Sequence, residues 1–355
     1  MNLYEDAIKS IRGAEKEAVT LAWQRIDNLT KPIGSLGVLE EIAAKMAGIT
    51  GKQKNNIKKK SIVIMCADNG VYEEGVSCCP QEVTAIVTEN FTKGITGVCT
   101  LAKHANSDIT VVDLGVKKRF SSNKIINKKI AYGTKNILEG AAMTREEALR
   151  GIESGIEVVN GLCKEGYDLL GTGEMGIGNT TTSAAVLSVL LDIPPEIIVG
   201  KGAGLTEEQY ENKKLVVKKA IEINKPDKDD VIDVLAKVGG FDIAGLCGCF
   251  LAAASNRIPI VIDGFIASTA ALCAYRLNPM VRDFMFPSHI SAEPGSIYVV
   301  EEIKLTPMLN LKMRLGEGTG CPLAFNIIEA ALAAINNMAT FEEAKILKDN
   351  YVDIR

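Results

Sequence analysis

Short runs of β-branched residues, each ending near glycine or aspartate and each followed by a helix-length stretch, constrain the fold of this chain more than any other feature. Ile62-Val63-Ile64-Met65 runs into Asp68-Asn69-Gly70, Ile109-Thr110-Val111-Val112 into Asp113-Leu114-Gly115, and Tyr167-Asp168-Leu169-Leu170 into Gly171. Ile197-Ile198-Val199 ends at Gly200, and Ile258-Pro259-Ile260-Val261-Ile262 ends at Asp263-Gly264. Strands apolar on both faces and separated by helices predict an α/β fold, with a Rossmann-like, mostly parallel sheet and covering helices over residues 59–320. The covering helices are expected at 145–165, 207–223, 230–238, 242–255 and 264–277. Ahead of the sheet, residues 3–28 and 35–48 carry apolar positions at helical spacing, with Ser35 as a candidate N-cap. Residues 321–349 read as helix again, and with residues 1–58 they predict a small helical lobe from the two ends of the chain.

Charge excludes several function classes. The 355 residues carry 40 basic and 44 acidic side chains, and aromatic residues make up 5%. Such a balance gives no field for nucleic acid or an anionic membrane and no base-stacking platform, so any bound anion must be held locally. The basic stretch Lys117–Lys135 reads as a solvated loop. Nine cysteines, an odd number without a Cys-x-x-Cys, read as structural thiols in a reducing compartment, and two histidines leave little for a zinc site. The uncharged pieces of the most apolar region, Ile243–Tyr275, fall short of the ~18–20 residues a spanning helix needs. The opening stretch Met1–Ala18 is charged at short intervals, unlike a secretory signal, so a cytoplasmic protein is expected.

Ligands of open parallel sheets collect at the carboxyl ends of the strands, where Asp68, Asp113, Glu174 and Asp263 fall. The stretch Gly171-Thr-Gly-Glu-Met-Gly-Ile-Gly-Asn-Thr180 follows a strand and opens a helix, the context of a G-x-G-x-x-G anion loop. Glu174 would repel a pyrophosphate lying across that loop, and the next strand lacks the acid expected about 20 residues on. The loop therefore suits one phosphate on a ribose, with Gly176, Gly178, Asn179 and Thr180 as donors. A second glycine loop, Gly200–Leu205, brings Gly202 and Gly204, and the helix after it carries Lys213 and Lys214 as possible phosphate cations. In the third, Arg314-Leu-Gly-Glu-Gly-Thr-Gly-Cys-Pro322, Glu317 stands between glycines with no adjacent lysine, near apolar Leu315 and Cys321. Partial desolvation there raises a carboxyl pKa toward the range of a general base.

Seven motifs in one order then carry a family resemblance. They are Leu29–Gly37, Gly75-Val-Ser-Cys-Cys-Pro-Gln-Glu-Val-Thr84, Asn90-Phe91, Gly173–Thr181, Asp263-Gly-Phe265, Ser288–Glu293 and Leu315-Gly-Glu-Gly-Thr-Gly320. With them the chain resembles the nicotinate-nucleotide:dimethylbenzimidazole phosphoribosyltransferases over nearly its whole length. The resemblance implies transfer of phosphoribose from nicotinate mononucleotide to a benzimidazole, giving an α-ribazole phosphate for the lower ligand of cobamides. It implies a homodimer with no metal or redox cofactor, small-molecule substrates, Glu317 as the catalytic base and Lys213 near the phosphate. It further implies that Glu174 is a ribose or pocket ligand, and that the segment Ser77–Ala85 borders the aromatic base. Among the remaining motif positions, Pro80, Asp263, Ser291 and Leu315 are candidate substrate-binding residues.

The chain departs from the family at Asn69 and Ser296, where histidines are expected, and at Ala85 and Ile86, where a glutamine near the base is expected. A more apolar base pocket follows, open to substituted benzimidazoles, purines or phenols as acceptor. Two other classes compete. A nicotinamide-dinucleotide dehydrogenase would use Gly171–Gly176 as its fingerprint but lacks the ribose acid, and a non-catalytic nucleotide sensor would not need Glu317.

Overall fold

A computed structural model describes residues 2–202, 204–347 and 352–355. Among the described residues six strands form one parallel sheet: β1 (Lys60–Ala67), β2 (Asp108–Gly115), β3 (Ile125–Asn127), β4 (Leu169–Met175), β5 (Ile260–Ile262) and β6 (Met285–Pro287). Their spatial order is β3-β2-β1-β4-β5-β6, so the chain reverses direction across the sheet between β1 and β4. That order leaves a crevice above the carboxyl ends of β1 and β4, the switch point where such sheets bind ligands. β1 is buried along its whole length, as a central strand covered on both faces must be. Met65 faces Gly245 in the helix Phe241–Ser255, whereas Ile62 faces the loop at Gly318. Their odd separation in the strand places these two covers on opposite sides of the sheet.

Helix Phe241–Ser255 is buried on every side up to Ala254, because it lies between the sheet and the helices Arg145–Lys164 and Phe265–Leu277. Contact with Arg145–Lys164 is close enough that a Cβ on Gly248 would strike the backbone of Ile152. Helix Gly320–Asn337 lies against β4 and β5 and also meets Val38–Thr50, while Leu3–Ser10 packs on Arg145–Lys164 and Phe241–Ser255. Leu29 bridges to Thr340 and Ile33 to Asp353, so the two ends of the chain meet.

Several local expectations are corrected. The helix expected over 3–28 is two, Leu3–Ser10 and Lys16–Ile26, because the intervening backbone bonds elsewhere: the Ala14 amide donates to Asp283 Oδ2 (3.0 Å) and the Glu15 amide to Gly48 O (2.8 Å). Helix Val38–Thr50 starts after Gly37, not at Ser35, and Glu40 in its first turn accepts the Leu36 amide and pairs with buried Lys31 at 2.7 Å. Ile197–Val199 is no strand. Pro195 starts a one-turn helix to Ile198, and proline suits a first helical position. Strands β3 and β6, three residues each at the sheet edges, went unread; β3 lies inside the basic stretch, whose Lys118 and Lys129 pair with Glu89 and Asp113. The C-terminal helix ends at Asn337, and residues 348–351 lie outside the described residues, as does Ala203. No helix among the described residues is long and apolar enough to cross a membrane.

The helix crossing at Gly248 gives a direct test of this packing. Gly248→Val forces the two helices apart and should cost about 2–3 kcal/mol of stability. A thermal melt matching the parent protein would contradict the close approach.

Candidate active site

The carboxyl ends of β4 and β5 and the loops after β1 enclose a cavity of about 270 Å³. Ten of the expected substrate and catalytic residues line it: Ser77, Glu174, Gly176, Gly178, Asn179, Thr180, Gly202, Ser291, Leu315 and Glu317. Leu315 is exposed at its rim. Val76, Val83, Val87, Ile177 and Phe265 add apolar wall, and His289, Glu293 and Arg314 add polar wall that sequence reasoning left without a role.

Glu317 is held by its loop rather than by its side chain. Gly316, Glu317 and Gly318 have φ of 77°, 60° and 93°, three consecutive left-handed residues. Such a run is tolerable to glycine and strained for glutamate, so the neighbours must impose it. Asp263, just past β5, does so: Oδ2 accepts the Gly318 amide at 3.0 Å and Oδ1 the Gly320 amide at 2.6 Å. The Glu317 amide donates to Glu174 Oε1 at 3.3 Å. A Cβ on Gly173 would lie 2.5 Å from Glu317 O, so the loop rests on the bare backbone of β4.

That contact changes the meaning of the first glycine stretch. Gly171 and Gly173 lie inside β4, where they admit Cys321, Phe325 and the Glu317 backbone, and no anion loop includes them. Only Gly176 and Gly178 belong to the turn that opens helix Asn179–Leu191. In that turn the Asn179 amide donates to Gly176 O (3.0 Å) and the Ile177 amide to Thr84 Oγ1 (3.0 Å). The Asn179 side chain bridges two carboxylates, Glu174 Oε2 and Asp242 Oδ2, the latter at 3.1 Å. Asn179 thus faces the cavity as part of an acid-bridging network.

Lys213 lies behind the wall. Fully buried, it donates to Thr180 Oγ1 (2.8 Å) and Gly200 O (3.1 Å), and burial lowers its pKa to about 8 against the pull of Glu293. Glu293 Oε1 accepts the Gly202 amide at 2.9 Å. Asp263 does not line the cavity, since both its oxygens serve the Glu317 loop, and exposed Pro80 and Gly204 do not line it either. Ala85 and Ile86 face a separate surface cleft with Lys117 and Lys118. Helical phase explains this: residues four apart share a face, so Val83 and Val87 of helix Glu82–Lys93 meet the cavity in their place.

Three buried acids shape the electrostatics. Burial first, then the charge of Asp242, pushes Glu174 up to about 8. Burial pushes Asp242 up to about 6 despite the Asn179 hydrogen bond. Burial also raises Asp263 above the ordinary carboxylate range, against His289 and the loop amides. Glu317 is raised by partial burial and then by the Asp263 charge, with the Val98 amide drawing it back in part. Apart from that amide, its solvent-shut Oε2 has no hydrogen-bond partner among the described residues, an arrangement that favours taking up a proton.

Residues 11–346 match the phosphoribosyltransferase family DBI_PRT. The chain is 61% identical over 356 aligned positions to the nicotinate-nucleotide–dimethylbenzimidazole phosphoribosyltransferase of Clostridium tetani, covering 100% of this chain and 98% of that protein. It is 57% identical to the same enzyme of Clostridium acetobutylicum, covering 98% of each. A solved structure of the Thermus thermophilus enzyme matches with a TM-score of 0.89 at 38% identity, over 94% of this chain and 99% of that one.

The acid network predicts how stability follows pH. Glu174 holds its proton up to about 8 when folded, against 4.5 ordinarily, so between those values the folded chain binds a proton that the unfolded chain has released. Its contribution is therefore fully present below pH ~4.5 and is lost as pH rises through ~8, on the order of 2–4 kcal/mol. Glu174→Gln should flatten the fall in denaturation midpoint across this window; an unchanged slope would remove Glu174 as its source.

Proposed function

Because the chain belongs to the nicotinate-nucleotide–dimethylbenzimidazole phosphoribosyltransferase family, we propose that it moves phosphoribose from nicotinate mononucleotide to a benzimidazole, with Glu317 as general base. One observation carries the residue-level reading. The strained, half-buried Glu317 and the turn Gly176–Thr180 line one cavity at the switch point of the sheet. The phosphate belongs at the start of helix Asn179–Leu191, where the helix dipole favours an anion. Buried Lys213 adds positive charge there through Thr180 and Gly200, the role of a cation held behind the wall rather than a direct ligand.

The acceptor ring lies against Val76, Val83, Val87 and the Ser77–Cys79 turn, an apolar wall suited to a benzimidazole. One ring nitrogen attacks C1′ of the ribose from the face opposite nicotinate, which inverts the anomeric centre from β to α. The other ring nitrogen gives its proton to the Glu317 carboxylate. Nicotinate enters bonded as a pyridinium and departs with a neutral ring nitrogen, so it requires no acid. The mainly neutral Glu174 fixes the loop through the Glu317 amide without adding a full negative charge beside the phosphate. The product is an α-ribazole phosphate, from which the lower ligand of a cobamide is built.

Nine free thiols support a reducing, cytoplasmic setting, and exposed Leu311 and Leu315 beside the catalytic loop support a homodimer.

Release of nicotinate from nicotinate mononucleotide should depend on an added benzimidazole; release without acceptor, or none with it, would refute the assignment. In the same assay Glu317→Gln should lose ~10²–10⁴-fold in rate while still binding the nucleotide by calorimetry. The parent rate should rise with pH through a value above the ordinary glutamate range, since only ionised Glu317 accepts the proton. A variant as fast as the parent would take Glu317 out of the mechanism.

A further inference from the structure

Among the nine cysteines, two depart from the expectation of structural thiols. Cys66, Cys99, Cys247, Cys249, Cys273 and Cys321 are buried and Cys163 is half-buried, but Cys78 is exposed and Cys79 half-exposed. Both of these adjacent thiols line the catalytic cavity. Their sulfurs lie 3.8 Å apart, on a turn fixed by the Cys79 amide donating to Ser77 Oγ at 3.2 Å.

We propose that Cys78 and Cys79 form a two-thiolate site for one soft divalent cation of the zinc and cadmium type, set in the wall of the catalytic cavity. Geometry selects this chemistry. Two sulfurs at ~2.3 Å from a tetrahedral ion stand roughly 3.8 Å apart, so the pair spans such an ion without moving. A disulfide between the same residues fits poorly. Consecutive Cα atoms are ~3.8 Å apart, below the ~4.4–6.8 Å that disulfides ordinarily span, so closing the bond would distort the turn.

Binding is balanced as one cation taken up and two thiol protons released. Because both thiols must lose their protons to bind the ion, affinity increases with pH. Among the described residues no group of three or more His, Cys, Asp or Glu is placed to hold a metal ion. The cation therefore keeps open positions filled by solvent. Such a site is reversible and inhibitory rather than structural. Its inhibitory consequence rests on the proposed placement of the acceptor ring beside Ser77–Cys79, where a bound cation competes for the same space. The cation site itself does not depend on that placement.

Cadmium titration of the full chain tests both parts. The expected result is one Cd²⁺ per chain, with an ultraviolet thiolate-to-metal band and release of about two protons per ion. Cys78→Ser and Cys79→Ser should each abolish the band. Absence of a band, or a band that survives either substitution, would overturn the site. In the nicotinate-release assay, Cd²⁺ should raise KM for the benzimidazole and leave that for nicotinate mononucleotide unchanged. Each variant, compared with its own cation-free rate, should need at least about tenfold more Cd²⁺ for the same inhibition. A band lost in both variants, combined with inhibition that added acceptor cannot relieve, supports the cation site and overturns the placement of the acceptor.

Discussion

The grip of Asp263 on the amides of Gly318 and Gly320 is the interaction on which the site depends. It joins the end of β5 to a loop more than fifty residues further along the chain. It also holds Glu317 in a left-handed conformation that glutamate does not adopt unaided. Charge-assisted bonds of this kind are among the stronger hydrogen bonds, and here both carboxylate oxygens are engaged. Gly173 of β4 completes the arrangement, since a side chain there would strike the Glu317 backbone. Glu317 is thereby fixed through its backbone, which supports its proposed role as the base.

A second constraint is the concentration of acid beneath the cavity. Glu174 and Asp242 share one Asn179 amide group between them, which cannot offset the burial of two charges. The network settles by retaining protons, chiefly on Glu174. A neutral Glu174 orients the loop through the Glu317 amide and, in the proposed reaction, spares the phosphate a full repulsive charge. Lys213 solves the complementary problem on the other side of the helix start, with a cation placed out of solvent and behind Thr180.

Much of this was legible in the sequence, for identifiable reasons. The central strands announce themselves through β-branched runs, and the carboxyl ends of a parallel sheet point to the acids that follow them. The edge strands β3 and β6 were not legible, because three residues carry too little pattern. Ile197–Val199 misled because a short apolar run looks alike in a strand and a buried turn of helix, and Pro195 decided the matter locally. Gly171 and Gly173 misled for a deeper reason: a glycine that admits an anion and one that admits another backbone are identical in sequence. Ala85 and Ile86 were placed by the family resemblance, which expects a glutamine near the base there, whereas the phase of the helix gives the cavity to Val83 and Val87. Asp263 was legible as a strand-end acid, but its task of fastening a remote loop needs the tertiary structure.

The central claim is that one cavity sets an anion-favouring helix start opposite a carboxylate facing the reacting ring. A crystal structure with the α-ribazole phosphate bound tests it most directly. The account predicts the phosphate at Gly176–Thr180 and a Glu317 oxygen within ~2.6–3.2 Å of the ring nitrogen not bonded to the sugar. A phosphate lodged elsewhere, or a Glu317 carboxylate turned to bulk water with the ring nitrogen out of reach, would contradict it.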